Sequence, residues 1–150
     1  MLRVTRLTDY ATLLMTVLAR APDAVHSGTA LAECARLELT TVSKVLKSLA
    51  QAGLIEGLRG AFGGYRMARP PHEVSLLEIV EAIEGPLGMT ECSVAEGNCD
   101  RSGFCTVAPH WHRVNDVITD ALRAMTLDRM IETVPPFAAG PRKPPARQAT

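Results

Sequence analysis

Three of the four cysteines of this chain fall in one short segment, ECSVAEGNCDRSGFC, which covers residues 91–105. Gly, Asn, Asp and Ser make up much of that segment, so it has little reason to fold alone. Clustered thiolates bind zinc or iron-sulfur clusters, and in an oxidising compartment they form disulfides. Cys92, Cys99 and Cys105 are therefore candidates for one of these three kinds of site.

The N-terminus bears on that choice. MLRVTRLTDYA has neither a long apolar region nor a small-residue cleavage site, so nothing marks the chain for export. No apolar run approaches the roughly 20 residues that a membrane-spanning helix requires. We expect a cytoplasmic protein with no membrane segment, in which a disulfide would be transient.

The spacing of the cysteines favours a cluster over zinc. Six residues separate Cys92 from Cys99, and five separate Cys99 from Cys105. Structural zinc sites usually pair cysteines about two to four residues apart, because a tight knuckle presents both sulfurs to one small ion. A cluster is larger, and a Gly-rich loop can wrap around it with wider spacings. The expected cofactor is an iron-sulfur cluster, 2Fe-2S or 4Fe-4S.

A cluster of this kind needs four ligands, and the segment supplies three. Cys34 falls among apolar residues of a short predicted helix, where it is interpreted as a small buried side chain. His110 and His112 follow the last cysteine, but histidines in a first helical turn are often capping or surface residues. Asp9, taken alone, is a carboxylate at a helix start. The residues by themselves leave the fourth ligand open.

The net charge of zero hides an uneven distribution. Residues 1–70 carry nine basic and five acidic side chains, residues 71–140 carry four and eleven, and residues 141–150 carry three and none. A basic N-terminal half suits a polyanion, whereas the acidic half should lie away from it.

The first half of the chain contains three predicted helices. The first runs from Thr8 to about Arg20, with Thr8 as its N-cap, and TALAECA forms a short second helix. TTVSKVLKSLAQAG forms the third, which ends at Gly53 and leaves a polar, basic face outside. Its expected buried residues are Val42, Val45, Leu46 and Leu49.

A hairpin follows the third helix. LIEGLRGAFGGYRMA predicts a strand, a Gly-rich turn and a second strand, and together these elements form a winged helix-turn-helix. From that turn Arg59 could reach a DNA minor groove, where narrow geometry concentrates negative potential. The hairpin therefore favours DNA binding over the simpler interpretation of the third helix as an ordinary surface helix.

Further helices are predicted in the second half. SLLEIVEAIEGP opens with a capping box, Ser75 and Glu78, and Pro109 suits the first turn of a long helix. That long helix has an apolar seam with spacings of three and four residues, which requires a packing partner. Packing within the monomer is one alternative, and packing against a second copy in an antiparallel dimer is the favoured one. The seam residues are Trp111, Val114, Ile118, Ala121 and Met125. TLDRMIE begins a last short helix.

These elements predict a mainly α fold. Residues 1–70 form a winged helix-turn-helix DNA-binding domain with a small β-hairpin wing. Residues 71–132 form a cluster-binding loop and a long dimerisation helix, and the Pro-rich residues 133–150 form a disordered tail. No nucleophile–base pair or phosphate loop occurs, so the sequence does not indicate an enzyme or a small-molecule substrate.

The motifs also resemble a known family. LTDYA, VSKVLKSLAQAGLIEGLRGAFGGY, SLLEIVEAIEG, the three cysteines and the seam helix are similar, in this order, to the iron-sulfur regulators typified by IscR and NsrR. The resemblance covers roughly residues 1–132 and includes the R-G-x-x-G-G-Y wing. Within that family the start of the chain most resembles regulators of the SUF cluster-assembly operon.

This resemblance implies the fourth ligand. In NsrR-like members an aspartate in the first helix of the partner chain completes the coordination, and Asp9 matches that position. IscR-like members use a histidine three residues after the last cysteine, where this chain has Ala108. Coordination of the cluster by Asp9 would tie a DNA-binding domain to the dimer core, and loss of the cluster would free that domain.

The resemblance implies DNA contacts as well. Lysines would mainly supply salt-dependent affinity, while Ser43 and Arg59 would carry more of the sequence discrimination. The expected DNA-binding residues are Thr40, Thr41, Ser43, Lys44 and Lys47 in the major groove, together with Arg59, Gly60 and Tyr65 of the wing.

The leading hypothesis is a homodimeric repressor of iron-sulfur assembly genes that binds double-stranded operator DNA. A first alternative keeps the family and changes the signal to nitric oxide. An alternative of another class is a zinc-stabilised interaction module or a small cluster carrier.

Overall fold

The computed structural model describes residues 3–94, 99–101 and 103–132. It is mainly helical with a single antiparallel hairpin among these residues, which confirms the predicted fold class. The helices are α1 (Arg6–Ala19), α2 (Gly28–Ala35), α3 (Leu39–Gln51), α4 (Leu76–Glu84), α5 (Glu91–Val94), α6 (Ala108–Ala124) and α7 (Leu127–Glu132). The strands are β1 (Ile55–Leu58) and β2 (Gly64–Met67), and a short 3-10 turn covers Pro71–Glu73. None of the described helices is long and apolar enough to cross a membrane.

The start of α1 differs from the prediction. Thr5, not Thr8, is the N-cap, and its Oγ1 accepts the backbone N–H of Thr8 at 3.3 Å. Thr8 lies three residues further on, where its own hydroxyl donates to Glu84 at 2.6 Å. The prediction of Thr8 as the cap was wrong because two threonines of equal capping ability lie one turn apart, and the contact with α4 uses the second.

The third helix forms as its periodicity predicted. Val42, Val45, Leu46 and Leu49 are buried against α1, α2 and β1, and Gly53 follows α3 with a φ of 74°. A positive φ suits glycine at this position, because glycine has no Cβ to clash with the backbone. The spacing of apolar residues was therefore sufficient to identify the buried face of α3.

The wing is fastened to the rest of the fold at its base. β1 and β2 pair in antiparallel register from Ile55 opposite Met67 to Leu58 opposite Gly64. His26, in the loop before α2, exchanges two backbone hydrogen bonds with Tyr65, at 2.9 and 2.7 Å. These bonds add a third segment to the hairpin and hold the wing against the helix-turn-helix.

The hydrophobic core continues past residue 70. Val74, Ile79 and Leu127 are buried in the same core as the residues of α1 and α3, so α4 and α7 complete the winged helix rather than forming a separate layer. Backbone hydrogen bonds from Leu76 to Met125 and from Leu127 to Val74, at 2.8 and 2.9 Å, join the starts of α4 and α7. The division into domains at residue 70 stays a prediction.

The start of α4 confirms the predicted capping box. Ser75 Oγ accepts the N–H of Glu78 at 3.3 Å, and Glu78 Oε2 accepts the N–H of Ser75 at 3.0 Å. Burial raises the pKa of Glu78, but the hydrogen bond from the Ser75 N–H and the ion pair with Arg69 outweigh it and hold the pKa below its ordinary value. The Arg69 pair also connects the end of the wing to α4.

The long helix α6 packs against α4 and α5 and has no fully buried residue. Its predicted seam is partly open: Trp111 and Val114 are 43% and 42% exposed, and Ile118 is half-buried. Met125 was expected inside the helix, but it follows the last helical residue as the C-cap. The predicted tail, residues 133–150, lies outside the described residues.

Candidate functional site

The exposed face of α3 carries the residues predicted to read DNA. Thr40, Ser43, Lys44 and Lys47 are exposed and Thr41 is half-buried, because the opposite face of the helix enters the core. Hydroxyl groups can bond to base edges, and ammonium groups can neutralise phosphates. The structure thus brings these five residues onto one surface, and their contact with DNA stays a prediction.

The N-terminus of α3 offers further donors. Glu38 is the N-cap, but its side chain makes no capping hydrogen bond. The first-turn N–H groups of α3 are consequently available to an outside acceptor, and helix N-termini favour phosphate groups.

The turn of the wing holds Arg59 and Gly60, both of which are exposed. Gly60 has a φ of 109°, a conformation that side chains rarely adopt, and the N–H of Gly63 donates to its carbonyl oxygen at 3.0 Å. A Cβ at Gly63 would overlap the carbonyl oxygen of Leu58. The Gly-rich motif is therefore required by the shape of the turn that presents Arg59.

Tyr65 differs in position from the other predicted wing residues. It is half-buried on β2, and its ring lies over Gly57, its neighbour across the hairpin. Its backbone is engaged with His26. These contacts assign Tyr65 a role in bracing the wing, and a direct contact with DNA is not required to explain it.

The three clustered cysteines lie between α4 and α6. Cys92 is on α5, Cys99 follows the undescribed residues 95–98, and Cys105 precedes α6; all three are half-buried free thiols. The sequence did not predict α5, a single helical turn in which the N–H of Ser93 donates to the Thr90 carbonyl at 2.9 Å.

The start of this cysteine segment is fixed to the fold by two contacts. Gly88 lies so close to Val94 of α5 that a Cβ at this glycine would overlap the valine side chain. The N–H of Met89 donates to Oδ1 of Asn115 on α6 at 3.1 Å. The turn that bears Cys92 is thus placed against Gly88, in the connection after α4, and against the side of α6.

The donor set fits an iron-sulfur cluster in its chemistry. Cys92, Cys99 and Cys105 supply thiolates, the ligands of such clusters, and none of them is used in a disulfide. Among the described residues no three His, Cys, Asp or Glu side chains are grouped closely enough to hold a metal ion. The segment thus supplies three ligands of the right chemistry, and a cluster with four ligands would take the fourth from outside it.

Cys34 is exposed, and its prediction as a buried residue was wrong. Leu31 and Ala35 define the buried side of α2, together with Ala32. Cys34 lies about 100° around the helix from the middle of that side. Its apolar neighbours in sequence were therefore a poor guide to its burial.

Asp9 lies exposed in the first turn of α1, next to a contact that the sequence did not predict. Glu84, the last residue of α4, accepts hydrogen bonds from the Thr8 hydroxyl at 2.6 Å and from the Thr5 N–H at 3.0 Å. These bonds hold the pKa of Glu84 below its ordinary value, with the bond from Thr8 the larger cause. Through Glu84, the turn that carries Asp9 is joined to the end of α4, seven residues before the cysteine segment begins.

The sequence contains a signal for this contact, although a weak one. Thr5 and Thr8 are spaced like a cap and its third helical residue, and Glu84 ends α4 beside Gly85. That pairing depends on α1 and α4 lying side by side, which local periodicity does not reveal.

Comparison with known proteins agrees with this geometry. Residues 4–133 match the Rrf2 family, described as "Iron-dependent Transcriptional regulator". The chain is 32% identical over 124 residues to the HTH-type transcriptional regulator NsrR of Shouchella clausii (strain KSM-K16), a match covering 82% of this chain and 79% of that protein.

Two solved structures share the fold. CymR, the global cysteine regulator of B. subtilis, aligns with a TM-score of 0.71 and 25% identity over 90% of this chain and 100% of its own. IscR of T. potens aligns with a TM-score of 0.67 and 26% identity over 87% of each chain. These matches confirm the resemblance inferred from the sequence: the chain belongs to the Rrf2 family of transcriptional regulators and is of the IscR/NsrR type.

Proposed function

We propose that this DNA-binding transcriptional regulator is a homodimeric repressor of iron-sulfur assembly genes, controlled by an iron-sulfur cluster. Cys92, Cys99 and Cys105 would hold the cluster together with Asp9 of the partner subunit. When bound, such a cluster supplies redox chemistry and sensitivity to iron supply. The proposed protein acts in the cytoplasm, is not an enzyme and needs neither a membrane nor a small-molecule substrate.

The observation that carries this proposal is the state of the three thiols. They are free and half-buried, and they lie in one segment between α4 and α6. Cys105 also stands just before the 17-residue helix α6, whose N-terminal dipole favours nearby negative charge. A segment that holds three thiols among Gly, Asn, Asp and Ser residues is suited to wrap a cluster.

The open side of α6 supports the homodimer. Three large apolar side chains on this side are exposed: Trp111 (43%), Val114 (42%) and Val117 (64%). Burial of such side chains is favourable, so a packing partner would stabilise the protein. A second α6 packed antiparallel would cover this side. An apolar groove lined by Val80, Ile118 and Leu122 runs alongside, between α4 and α6, and extends the surface that a second chain could bury.

A dimer would also bring Asp9 to the cysteines of the other chain. Asp9 is exposed on α1, at the rim of grooves that α1 forms with α7 and with α4 and α6. An exposed carboxylate at that rim is accessible to a second chain docked along α6. This accessibility supports coordination between subunits.

Anaerobic purification of the full chain tests the cofactor. Brown protein with visible charge-transfer absorption and with equal amounts of iron and acid-labile sulfide supports the proposal. Colourless protein with stoichiometric zinc would contradict it and would favour the zinc-stabilised alternative. Brown protein that binds no DNA sequence, with or without its cluster, would favour the cluster carrier.

The similarity to NsrR supports a second candidate, a repressor that senses nitric oxide. The two signals differ in the treatment that changes DNA binding. If the protein reports on cluster supply, iron chelation should change its affinity for the operator, either lowering or raising it. If only stoichiometric nitric oxide changes operator binding, the second candidate replaces the first.

A further inference from the structure

The tip of the wing presents an aromatic side chain to solvent. Phe62 is 97% exposed, the highest value among the large hydrophobic residues that the structure describes. It occupies the turn between β1 and β2, three residues after Arg59. Neither the helical periodicity nor the winged-helix pattern assigns this side chain a function.

The backbone beneath Phe62 is tightly held. The N–H of Gly63 closes the turn onto the Gly60 carbonyl at 3.0 Å, and Gly63 has no room for a Cβ beside Leu58. Gly64 is equally confined, because a Cβ there would overlap the carbonyl oxygen of His26. These contacts hold the backbone that follows Phe62, and the exposure of the ring shows that it does not fold back onto the protein.

The charges near the tip of the wing are compatible with binding to a polyanion such as DNA. Between residues 57 and 65 the only charged side chain is that of Arg59. The nearest acidic residue on the hairpin, Glu56, is neutralised by an ion pair with Arg66 across the strands. An apolar side chain next to one cation is a combination suited to a narrow DNA groove rather than to an acidic protein surface.

The wing is also tied to the helix that carries the basic face. The N–H of Leu54, at the entry to β1, donates to the carbonyl of Leu49 on α3 at 3.1 Å, and Ala68, at the exit of β2, donates to Leu54 at 3.1 Å. Docking of α3 in a major groove would therefore set the position of the wing tip on the neighbouring backbone and minor groove.

We infer that Phe62 acts as an apolar wedge in the minor groove of the operator, where it partly unstacks one base step and favours a deformable sequence at that step. Apolar side chains inserted from the minor groove kink DNA, and pyrimidine–purine steps unstack most easily. Arg59 beside it responds to the negative potential of a narrow groove, whereas Phe62 responds to how easily a base step unstacks. This inference rests on the proposed contact between the wing and DNA.

The test uses DNA selected by the protein itself. Metal-loaded and metal-free full-length protein each select from a random duplex pool, and whichever form enriches a sequence is taken forward. Affinity for the selected duplex and for a scrambled duplex is measured for the wild type and for Phe62→Ala, Phe62→Leu, Arg59→Ala and Val25→Ala. Bending is followed by energy transfer between dyes at the duplex ends. Val25 is the matched control, an exposed apolar residue beside His26 at the base of the wing.

Phe62→Ala should bind the selected duplex about tenfold more weakly and bend it less, while its affinity for the scrambled duplex changes by less than about twofold. Phe62→Leu, which keeps an apolar wedge, should retain most of the bend, and Val25→Ala should behave like the wild type. Repeating the selection with Phe62→Ala should relax the base preference at one pyrimidine–purine step.

Wild-type affinity and bending in Phe62→Ala would overturn the inference. If Arg59→Ala is weakened in that case, the wing still contacts DNA and only the wedge is wrong. If neither variant changes binding, the proposed wing contact itself fails. A similar loss of affinity in Val25→Ala would assign Phe62 a role in folding. A change in the oligomeric state of Phe62→Ala would assign it to a contact between proteins, and either result would overturn the wedge.

Discussion

The hydroxyl of Thr8 donates a 2.6 Å hydrogen bond to the carboxylate of Glu84 and so joins the first turn of α1 to the last residue of α4. Thr8 is 1% exposed, whereas Glu84 keeps much of its surface in water. The bond therefore connects the buried side of one helix to the exposed end of another. Asp9 follows Thr8 in sequence, and Gly85 after Glu84 begins the connection to the cysteine segment, so the bond joins the turn that bears Asp9 to the chain that leads to the cysteines of the same subunit.

Thr8→Val should destabilise the fold in a pH-dependent way. At pH 7 we expect a loss of about 0.5 to 1 kcal/mol in the free energy of unfolding, because one hydrogen bond to an exposed carboxylate is removed. The pKa of Glu84 is lowered by folding, so its contribution is present above the unfolded value of about 4.3 and is lost as the pH falls through the lower folded value.

Urea denaturation of metal-free protein at fixed concentration, from pH 7 down to about pH 3.5, measures this difference. Thr12→Val is the matched control, since the Thr12 hydroxyl bonds within α1 to the Thr8 carbonyl. The difference between wild type and Thr8→Val should shrink in acid, and that for Thr12→Val should stay constant. A Thr8→Val effect that is independent of pH would contradict the link to Glu84.

Substitution of the clustered cysteines should remove the cluster. Cys92→Ser, Cys99→Ser and Cys105→Ser should each hold less than about a tenth of the wild-type iron and sulfide, since losing a direct ligand costs more than the ten- to hundredfold in affinity typical of an outer-shell partner. Cys34→Ser is the control, because Cys34 is an exposed thiol on α2. Equal losses in Cys34→Ser would place the ligands elsewhere.

The proposed contribution of Asp9 across the dimer can be tested by mixing chains. Asp9→Ala and Cys92→Ser should each bind the cluster poorly as homodimers. In a mixed dimer, Asp9 of the Cys92→Ser chain faces the intact cysteines of the Asp9→Ala chain, so one complete site returns. Co-refolding equal amounts of the two variants should recover about a quarter of the wild-type iron content, because about half of the dimers are mixed and each mixed dimer holds one of its two sites. Homodimers of Asp9→Ala with an unchanged spectrum would remove Asp9 from the site.

The lysines of α3 should contribute affinity without much specificity. Lys44→Ala and Lys47→Ala should each reduce the magnitude of the slope of log affinity against log salt concentration by about 1. Each should weaken binding to all DNA sequences to a similar degree. Lys44→Arg keeps the charge and should keep the slope. Ser43→Ala should instead relax the preference at one base pair. A sequence-dependent loss in Lys44→Ala would make that lysine a base contact.

A charge in the seam of α6 should separate the proposed dimer. Val114 is 42% exposed, so Val114→Glu places its carboxylate in water in the single chain but in an apolar contact in the dimer. Light scattering should change from the mass of two chains to that of one, with helical content retained. Asp116→Asn, on the exposed side of the same helix, should leave the mass of two chains. If Val114→Glu keeps that mass, the seam is not the interface.

The elements that sequence predicted well are those fixed by local chemistry. The four apolar positions of α3, the capping box of Ser75 and Glu78, and the Gly-rich turn of the wing each depend on residues close together in the chain. Their periodicity, cap and turn signals therefore appear in any short window of the sequence.

Features that depend on packing between distant segments were missed or wrong. The choice of Thr5 over Thr8 as N-cap reflects the position of Glu84, 76 residues beyond Thr8. Cys34 was expected to be buried because its neighbours are apolar, but the side of α2 that packs is set by α1 and α3. The proposed convergence of the cysteines with Asp9 of a second chain would also depend on distant segments; it was predicted from the family resemblance rather than from local periodicity, and it stays a prediction.

The core that continues from α1 and α3 into α4 and α7 has a consequence for how a signal can act. The DNA-binding helices share one hydrophobic core with α4, the helix that leads to the cysteines. They therefore cannot rotate about a hinge at residue 70 without disrupting that core. In the proposed dimer, each subunit would then move as one rigid body. In the proposed homodimer, a change at the cysteines would alter the distance and angle between the two subunits, and two half-sites one helical turn apart, about 34 Å, would be sensitive to that distance.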